Sequence, residues 1–93
     1  MIKSFRGKET ERIWSGAGVR RFPPELQKLA RRKLRMLNNA RTLDDLRIPP
    51  GNRLEMLRGD RAGSYSVRIN NQWRICFRWS NGDALEVEIV DYH

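Results

Sequence analysis

Apolar and polar residues alternate strictly in the last third of the chain. The segments 65–69, 73–79 and 85–89 each place an apolar side chain at every second position, which is the period of a strand with one buried face. The pattern predicts three antiparallel strands that share one core face. The residues between the apolar positions are expected on the opposite, open face of the sheet: Ser66, Arg68, Arg74, Cys76, Arg78, Glu86 and Glu88.

Loop lengths predict how these strands are aligned, because a slip of one residue would turn every side chain to the other face. Ile69 opposite Trp73 leaves a loop of three residues. Phe77 opposite Leu85 does the same, and Gly82 then takes the left-handed position of a three-residue hairpin loop. Both hairpins keep their apolar residues on one side.

This alignment sets Arg74 between Arg68 on one neighbouring strand and Glu88 on the other. Like charges directly opposite each other destabilise a strand pair. We therefore expect the two arginines to bind an anion.

The segments that precede the predicted sheet have apolar residues at helical spacing. Residues 8–15 predict a short helix, and a longer one begins at Pro23, with proline in its first turn. Thr42, with the carboxylate of Asp45 three residues later, predicts the cap of a third, short helical segment. Residues 53–57 predict a strand, and residues 2–5 are either a first strand or an extended arm. The longer helix has apolar positions that should pack on the sheet: Leu26, Leu29, Ala30, Leu34 and Leu37.

A chain of 93 residues forms one domain with a single core. We predict one domain over residues 1–93 with an α+β fold, in which two to three N-terminal helices pack on one face of a small twisted antiparallel sheet. A single cysteine excludes an internal disulfide, and no Cys/His cluster has metal-ligand spacing, so neither metal nor cofactor is expected. The chain has no signal-peptide core and no run of about 20 apolar residues, which predicts a cytoplasmic protein without a membrane partner.

The formal net charge is +8, and 15 of the 19 basic residues are arginine, whose planar guanidinium suits bidentate phosphate binding. From Asn81 onward there are four carboxylate side chains and no basic residue. A polyanion or an acidic protein is the expected partner, and a generally basic composition is the alternative.

The chain ends with Asp91, Tyr92 and His93. A metal-free ribonuclease needs one group to accept the 2′-hydroxyl proton, one to protonate the leaving 5′-oxygen, and cations around the phosphorus. His93 or Tyr92 suits the proton transfers, and arginines suit the phosphate. Residue types alone leave the ordinary alternatives open: a solvated terminal histidine, a packed tyrosine, and an aspartate paired with an arginine.

Four segments together resemble HigB-type toxins, which belong to the RelE/ParE superfamily of bacterial toxin–antitoxin modules. They are the start Met1-Ile2-Lys3-Ser4-Phe5, residues 57–63 (LRGDRAG), residues 66–77 (SVRINNQWRICF) and the ending Val90-Asp91-Tyr92-His93. The resemblance spans nearly the whole chain and implies the RelE-like microbial RNase fold.

The resemblance implies a toxin that cuts mRNA in the A site of the ribosome without a metal. Its antitoxin would be HigA-type, with a helix-turn-helix domain, in a complex of two toxins and two antitoxins that binds operator DNA. The implied catalytic residues are Asp91, Tyr92, His93, Arg74 and Arg58. The remaining arginines near these positions are expected to bind RNA phosphates: Arg53, Arg61, Arg68 and Arg78.

One position departs from the family pattern. Some HigB toxins have a histidine three residues before the basic residue that is Arg58 here, and this chain has Glu55. Glu55 suits the role of a base, although its charge is unfavourable beside a phosphate unless Arg53 or Arg58 offsets it.

Two other classes of function remain open. A ParE-like toxin would inhibit DNA gyrase by binding, without hydrolysis, and would share the fold without needing the terminal Asp-Tyr-His. A non-catalytic basic domain that binds RNA or DNA would need only the charge.

Overall fold

The computed structural model describes residues 1–91, which form two α-helices and a four-stranded antiparallel sheet. The helices are α1 (Lys8–Trp14) and α2 (Pro24–Asn39), and the strands are β1 (Glu55–Met56), β2 (Ser64–Arg68), β3 (Trp73–Ser80) and β4 (Asp83–Asp91), in the order β1-β2-β3-β4. Three short 3₁₀ helices span Leu43–Arg47, Pro50–Asn52 and Gly59–Arg61. The predicted α+β fold is confirmed.

The core lies between α2 and one face of the sheet. The helix buries Leu26, Ala30, Leu34 and Leu37, as its spacing predicts. The prediction for Leu29 is wrong, because this side chain is 37 % exposed. Leu29 lies at the margin of the apolar stripe, about 60° around the helix from Leu26. No helix within residues 1–91 is both long and apolar enough to cross a membrane.

The N-terminal residues are an extended arm along the outer edge of β4. Ile2 and Phe5 form parallel bridges with Ala84 and Val87. The amide of Lys3 donates to the carbonyl oxygen of Ala84 at 2.8 Å. This pairing covers the first part of the β4 edge that faces away from β3, at residues 84–87.

The hairpin of β2 and β3 has the predicted alignment. The amide of Ile69 donates to the carbonyl oxygen of Trp73 at 2.9 Å, and Arg68 lies directly opposite Arg74. Asn70 stabilises the loop, because its Oδ1 accepts hydrogen bonds from the amides of Gln72 and Trp73, both at 2.9 Å. An asparagine that bonds the backbone in this way is a common turn device.

The predicted alignment of β3 with β4 is wrong. Ser80 pairs with Asp83, so the turn has two residues, Asn81 and Gly82, whose φ angles are 52° and 82°. Two positive φ angles are the mark of the type I′ hairpin, and Asn-Gly is its preferred sequence.

A β-bulge then shifts the register. Arg78 pairs with Leu85 but Cys76 pairs with Glu88, and the extra residue lies on β4, where Glu86 has a φ of 52°. The bulge has two consequences for the predictions. Ala84 is fully buried in the core whereas Leu85 is only half-buried, and Arg74 lies opposite Val90 instead of Glu88.

The predicted strand at residues 53–57 is reduced to Glu55–Met56. The 3₁₀ helix Pro50–Asn52 occupies the approach to this strand, and Arg53 follows it in the left-handed conformation, with a φ of 44°. By contrast, the predicted capping box is confirmed: the Thr42 hydroxyl accepts from the Asp45 amide, and the Asp45 carboxylate accepts from the Thr42 amide.

Candidate active site

Arg74 is buried on the face of the sheet away from α2, with 6 % of its surface exposed. Its Nε donates to Ser66 Oγ at 2.8 Å, and one terminal nitrogen donates to the carbonyl oxygens of Ser66, at 3.3 Å, and of Arg53. A guanidinium held by several acceptors has a fixed orientation. The prediction that this face of the sheet is open is therefore wrong at Arg74, because the segment around Arg53 covers it.

Glu55 contacts the same guanidinium. One of its carboxylate oxygens lies 3.8 Å from the other terminal nitrogen of Arg74, and about half of the Glu55 side chain is exposed. This position follows from strand pairing, because Glu55 lies opposite Ser66 in β1 and β2. The carboxylate therefore lies at the border between buried Arg74 and solvent.

A surface cavity of about 360 Å³ lies over this pair. Its lining contains three arginines, one carboxylate and two asparagines: Arg53, Arg68, Arg74, Glu55, Asn70 and Asn71. The excess of guanidinium groups suits an anion, and the asparagine amides add neutral donors and acceptors. Arg68 also holds the rim in place, because its guanidinium donates to the carbonyl oxygen of Asn70 at 3.1 Å and to Asn71 Oδ1.

Arg61 lies in a second cluster on the same face. It donates to a Glu88 carboxylate oxygen at 2.6 Å, and this bond raises the pKa of the Arg61 guanidinium. Cys76 lies beside the pair, and burial raises the pKa of its thiol, against the effect of the Arg61 charge. The charge of Arg61 is thus matched within the chain, and Arg61 does not line the cavity over Arg74.

The two remaining predicted arginines are exposed. Arg78 lies 3.8 Å from a carboxylate oxygen of Glu86, near the end of β3. Arg58 precedes the 3₁₀ helix Gly59–Arg61, and its guanidinium makes no ion pair with another residue in the range 1–91. Neither side chain lines the cavity, so of the predicted arginines the cavity gathers only Arg53, Arg68 and Arg74.

Asp91 is the last residue of β4 and lies opposite Trp73. Its Oδ2 accepts from Gln72 Nε2 at 3.1 Å, which places it beside the loop that borders the cavity. Residues directly opposite each other share a face of the sheet, so Asp91 is on the side of Trp73 and not on that of Arg74. The predicted roles of Tyr92 and His93 lie outside the described residues.

The acceptor groups that hold Arg74 are not among those that the sequence predicts for the site. The strand period predicts the correct face for Ser66 but does not indicate that its hydroxyl bonds Arg74. An offset serine on the strand beside an arginine is a signal that could have been used, because a hydroxyl there lies within reach of the guanidinium. The Arg53 carbonyl, by contrast, depends on a loop conformation that no sequence pattern indicated.

The family model described as "RelE-like toxin of type II toxin-antitoxin system HigB" matches residues 3–93 of the chain. The chain belongs to this toxin family. It is a HigB-like type II toxin, and membership of a type II module implies an antitoxin partner.

Similar proteins agree with this assignment. This HigB-like toxin is 40 % identical over 86 residues to Toxin HigB-1 of Vibrio cholerae, covering 91 % of this chain and 90 % of that one. It is 30 % identical over 93 residues to Endoribonuclease HigB of Proteus vulgaris, covering both chains completely. Its fold is similar to that of a YafQ mutant from E. coli, with a TM-score of 0.68 at 11 % identity, over 98 % of this chain and 91 % of that one.

Proposed function

We propose that this toxin is a metal-independent endoribonuclease of the cytoplasm that cuts mRNA in the ribosomal A site and so inhibits translation. The observation that supports this most directly is the cavity in which the oriented guanidinium of Arg74 lies beside Arg53, Arg68 and the Glu55 carboxylate. The relative from Proteus vulgaris, which aligns over the full chain, is named an endoribonuclease.

The reaction begins with attack of a 2′-oxygen on the adjacent phosphorus and ends with a 2′,3′-cyclic phosphate and a free 5′-hydroxyl. Negative charge accumulates on the phosphoryl oxygens between these states. A guanidinium that is already oriented stabilises this charge without having to reorganise. In many enzymes such preorganised groups make the largest single contribution to the rate acceleration. We assign this role to Arg74. The family resemblance implies Arg58 as a second cation, which would approach the phosphate from outside the cavity.

Proton transfer needs one base and one acid. Asp91, Tyr92 and His93 are the catalytic group that the family resemblance implies, with Tyr92 or His93 as the acid that protonates the 5′-oxygen and Asp91 as the group that orients it. Glu55 is a further base, since its carboxylate borders the cavity 3.8 Å from Arg74 and about half of it is exposed. It would accept the 2′-hydroxyl proton as the phosphate binds Arg74.

The other arginines extend the phosphate-binding surface along the same face of the sheet: Arg53, Arg61, Arg68 and Arg78. The proposed partners are the small ribosomal subunit with its rRNA, the mRNA and a HigA-type antitoxin with a helix-turn-helix domain. The toxin and antitoxin would form a complex of two copies each, which binds operator DNA through the antitoxin.

Cleavage of a labelled mRNA, with and without programmed ribosomes, tests the proposal. We expect cleavage by the wild type only with ribosomes, and we expect it to fall about 10²-fold or more in Arg74→Ala and on deletion of His93. Arg47→Ala is the matched control, because it removes the same charge from an exposed arginine that pairs with Asp44 at 3.0 Å, outside the cavity.

Two outcomes would contradict the proposal. Wild-type cleavage that persists in Arg74→Ala would remove Arg74 from the reaction. No RNA cleavage under either condition, together with inhibition of supercoiling by DNA gyrase, would favour the ParE-like alternative.

A further inference from the structure

Asn52 is a polar residue with no exposed surface, and its side chain joins three parts of the chain. Its Nδ2 lies within hydrogen-bond distance of the carbonyl oxygens of Leu46 and Ile48, at 3.1 and 3.3 Å, and of the sulfur of Met36. Its Oδ1 accepts from Lys33 Nζ at 2.5 Å. The amide thereby fastens the segment 46–52 to helix α2.

The residue that follows makes this attachment relevant to the site. Arg53 has a left-handed backbone with φ 44° and ψ 58°, which is uncommon for a residue with a side chain. Its amide donates to the carbonyl oxygen of Pro50 at 3.1 Å, and its own carbonyl oxygen accepts from Arg74. The direction of this carbonyl is therefore set by a turn whose one buried side chain is Asn52.

The segment contributes little to the core. Of the residues between Leu46 and Asn52, all five are exposed, and Ile48 has 74 % of its surface in solvent. The hydrophobic core is built from the helices and the sheet, with Leu46 as its one member from this segment. The attachment of this segment therefore depends on Leu46 and on the hydrogen bonds of Asn52.

We propose that Asn52, held by Lys33 of α2, is a positioning residue for the phosphate-binding site: it aims the Arg53 carbonyl at Arg74 and so fixes the orientation of the guanidinium. This inference rests on the proposed function for its effect on cleavage, but not for the coupling of Asn52 to Arg74. Burial also lowers the pKa of the Lys33 ammonium, which agrees with a cation that has exchanged part of its water for the amide oxygen.

The coupling is measured without any substrate. The Arg74 Nε–H, which donates to Ser66 Oγ, gives its own NMR signal in protein with isotope-labelled arginine, and its hydrogen exchange reports how firmly the guanidinium is held. We expect exchange to become at least 10-fold faster in Asn52→Ala and in Lys33→Met, which keeps the aliphatic stem. Lys33→Arg, which keeps a donor, should retain most of the protection.

The consequence is measured as single-turnover cleavage on programmed ribosomes. Misplacement of a reacting group by about 1 Å costs up to about 10²-fold in rate, so we expect the rate at saturation to fall about 10- to 100-fold in Asn52→Ala. The half-saturating toxin concentration should stay within about two-fold. Ile13→Ala, which shortens a fully buried side chain of α1, is the stability control and should keep its rate at temperatures where it is folded.

The two arms separate failure of the inference from failure of the proposed function. If the wild type cuts mRNA but Asn52→Ala changes neither the exchange of Arg74 nor the rate, the inference is wrong and the function stands. If the wild type cuts no RNA, the proposed function is wrong, and the exchange of Arg74 still decides whether Asn52 positions it. Equal loss of rate in Ile13→Ala and Asn52→Ala would reduce Asn52 to a general stabilising role and overturn the inference.

Discussion

The hydrogen bond between Arg74 and Ser66 offers a sharp test of the site, because a single atom can be removed. Ser66→Ala deletes the Oγ that accepts from Arg74 Nε at 2.8 Å, at a position with no exposed surface. Arg74 is only 6 % exposed, so water does not readily replace the lost acceptor. A buried hydrogen bond to a charged group is worth about 1.5–3 kcal/mol, and we expect a loss of about 2 kcal/mol in the free energy of unfolding.

That loss should be visible in thermal unfolding followed by circular dichroism. For a domain of about this size, 1 kcal/mol shifts the midpoint by about 4–8 °C, so Ser66→Ala should unfold about 10 °C below the wild type. Cleavage on programmed ribosomes should fall about 10-fold at a temperature where both proteins are folded, because Arg74 is then less well oriented.

Ser64→Ala is the matched control. Ser64 lies two residues earlier on the same strand and the same face, and it is half-buried. Its hydroxyl makes no hydrogen bond to another residue in the part of the chain that the structure describes. Its midpoint should change by no more than about 2 °C. An unchanged midpoint and rate in Ser66→Ala, or equal losses in both variants, would refute the view that Ser66 holds the guanidinium.

Two further predictions concern groups away from the cavity. Cys76 is 3 % exposed, and burial raises the pKa of its thiol. Iodoacetamide should therefore alkylate it at least about 100-fold more slowly in the native protein than in guanidinium chloride. Comparable rates would contradict its burial. The amides of Arg41 and Thr42 donate to the Asp45 carboxylate and lower its pKa below 3.8. This stabilisation is present above about pH 3.8 and is lost as the pH falls through the lowered pKa. Asp45→Asn should therefore reduce the dependence of the denaturant midpoint on acid pH. An unchanged dependence would show that the cap does not contribute to the stability of the fold.

The elements of the fold could be predicted from the sequence because each has a local signal. The apolar stripe of α2, the capping box at Thr42 and the β2–β3 alignment depend on residues close together in the chain. The alternation predicts the wrong alignment for the last hairpin because β4 contains a bulge that interrupts it, although the Asn81-Gly82 pair favours a two-residue turn. The bulge at Glu86 had no signal, since a glutamate rarely adopts a positive φ.

The site was predicted less completely, for a different physical reason. Arg74 and Arg68 were placed on the correct face by strand period alone. The period does not show what covers that face. Here it is covered by the Arg53 carbonyl, which belongs to a turn whose shape depends on the buried Asn52. Contacts that a distant loop makes with a strand are set by tertiary packing, so they cannot be deduced from the alternation of the strand.

The N-terminal arm also affects how the sheet is completed during synthesis. The Glu86 amide donates to Ser4 Oγ of the arm, and the Ile89 amide donates to Thr10 Oγ1 of the following helix α1, so partners about 80 residues apart must meet. An unpaired strand edge invites association with other chains. In a nascent toxin the arm is made before β4 and has no strand to cover until β4 leaves the ribosome. The segment that protects this edge is thus synthesised before the edge itself exists.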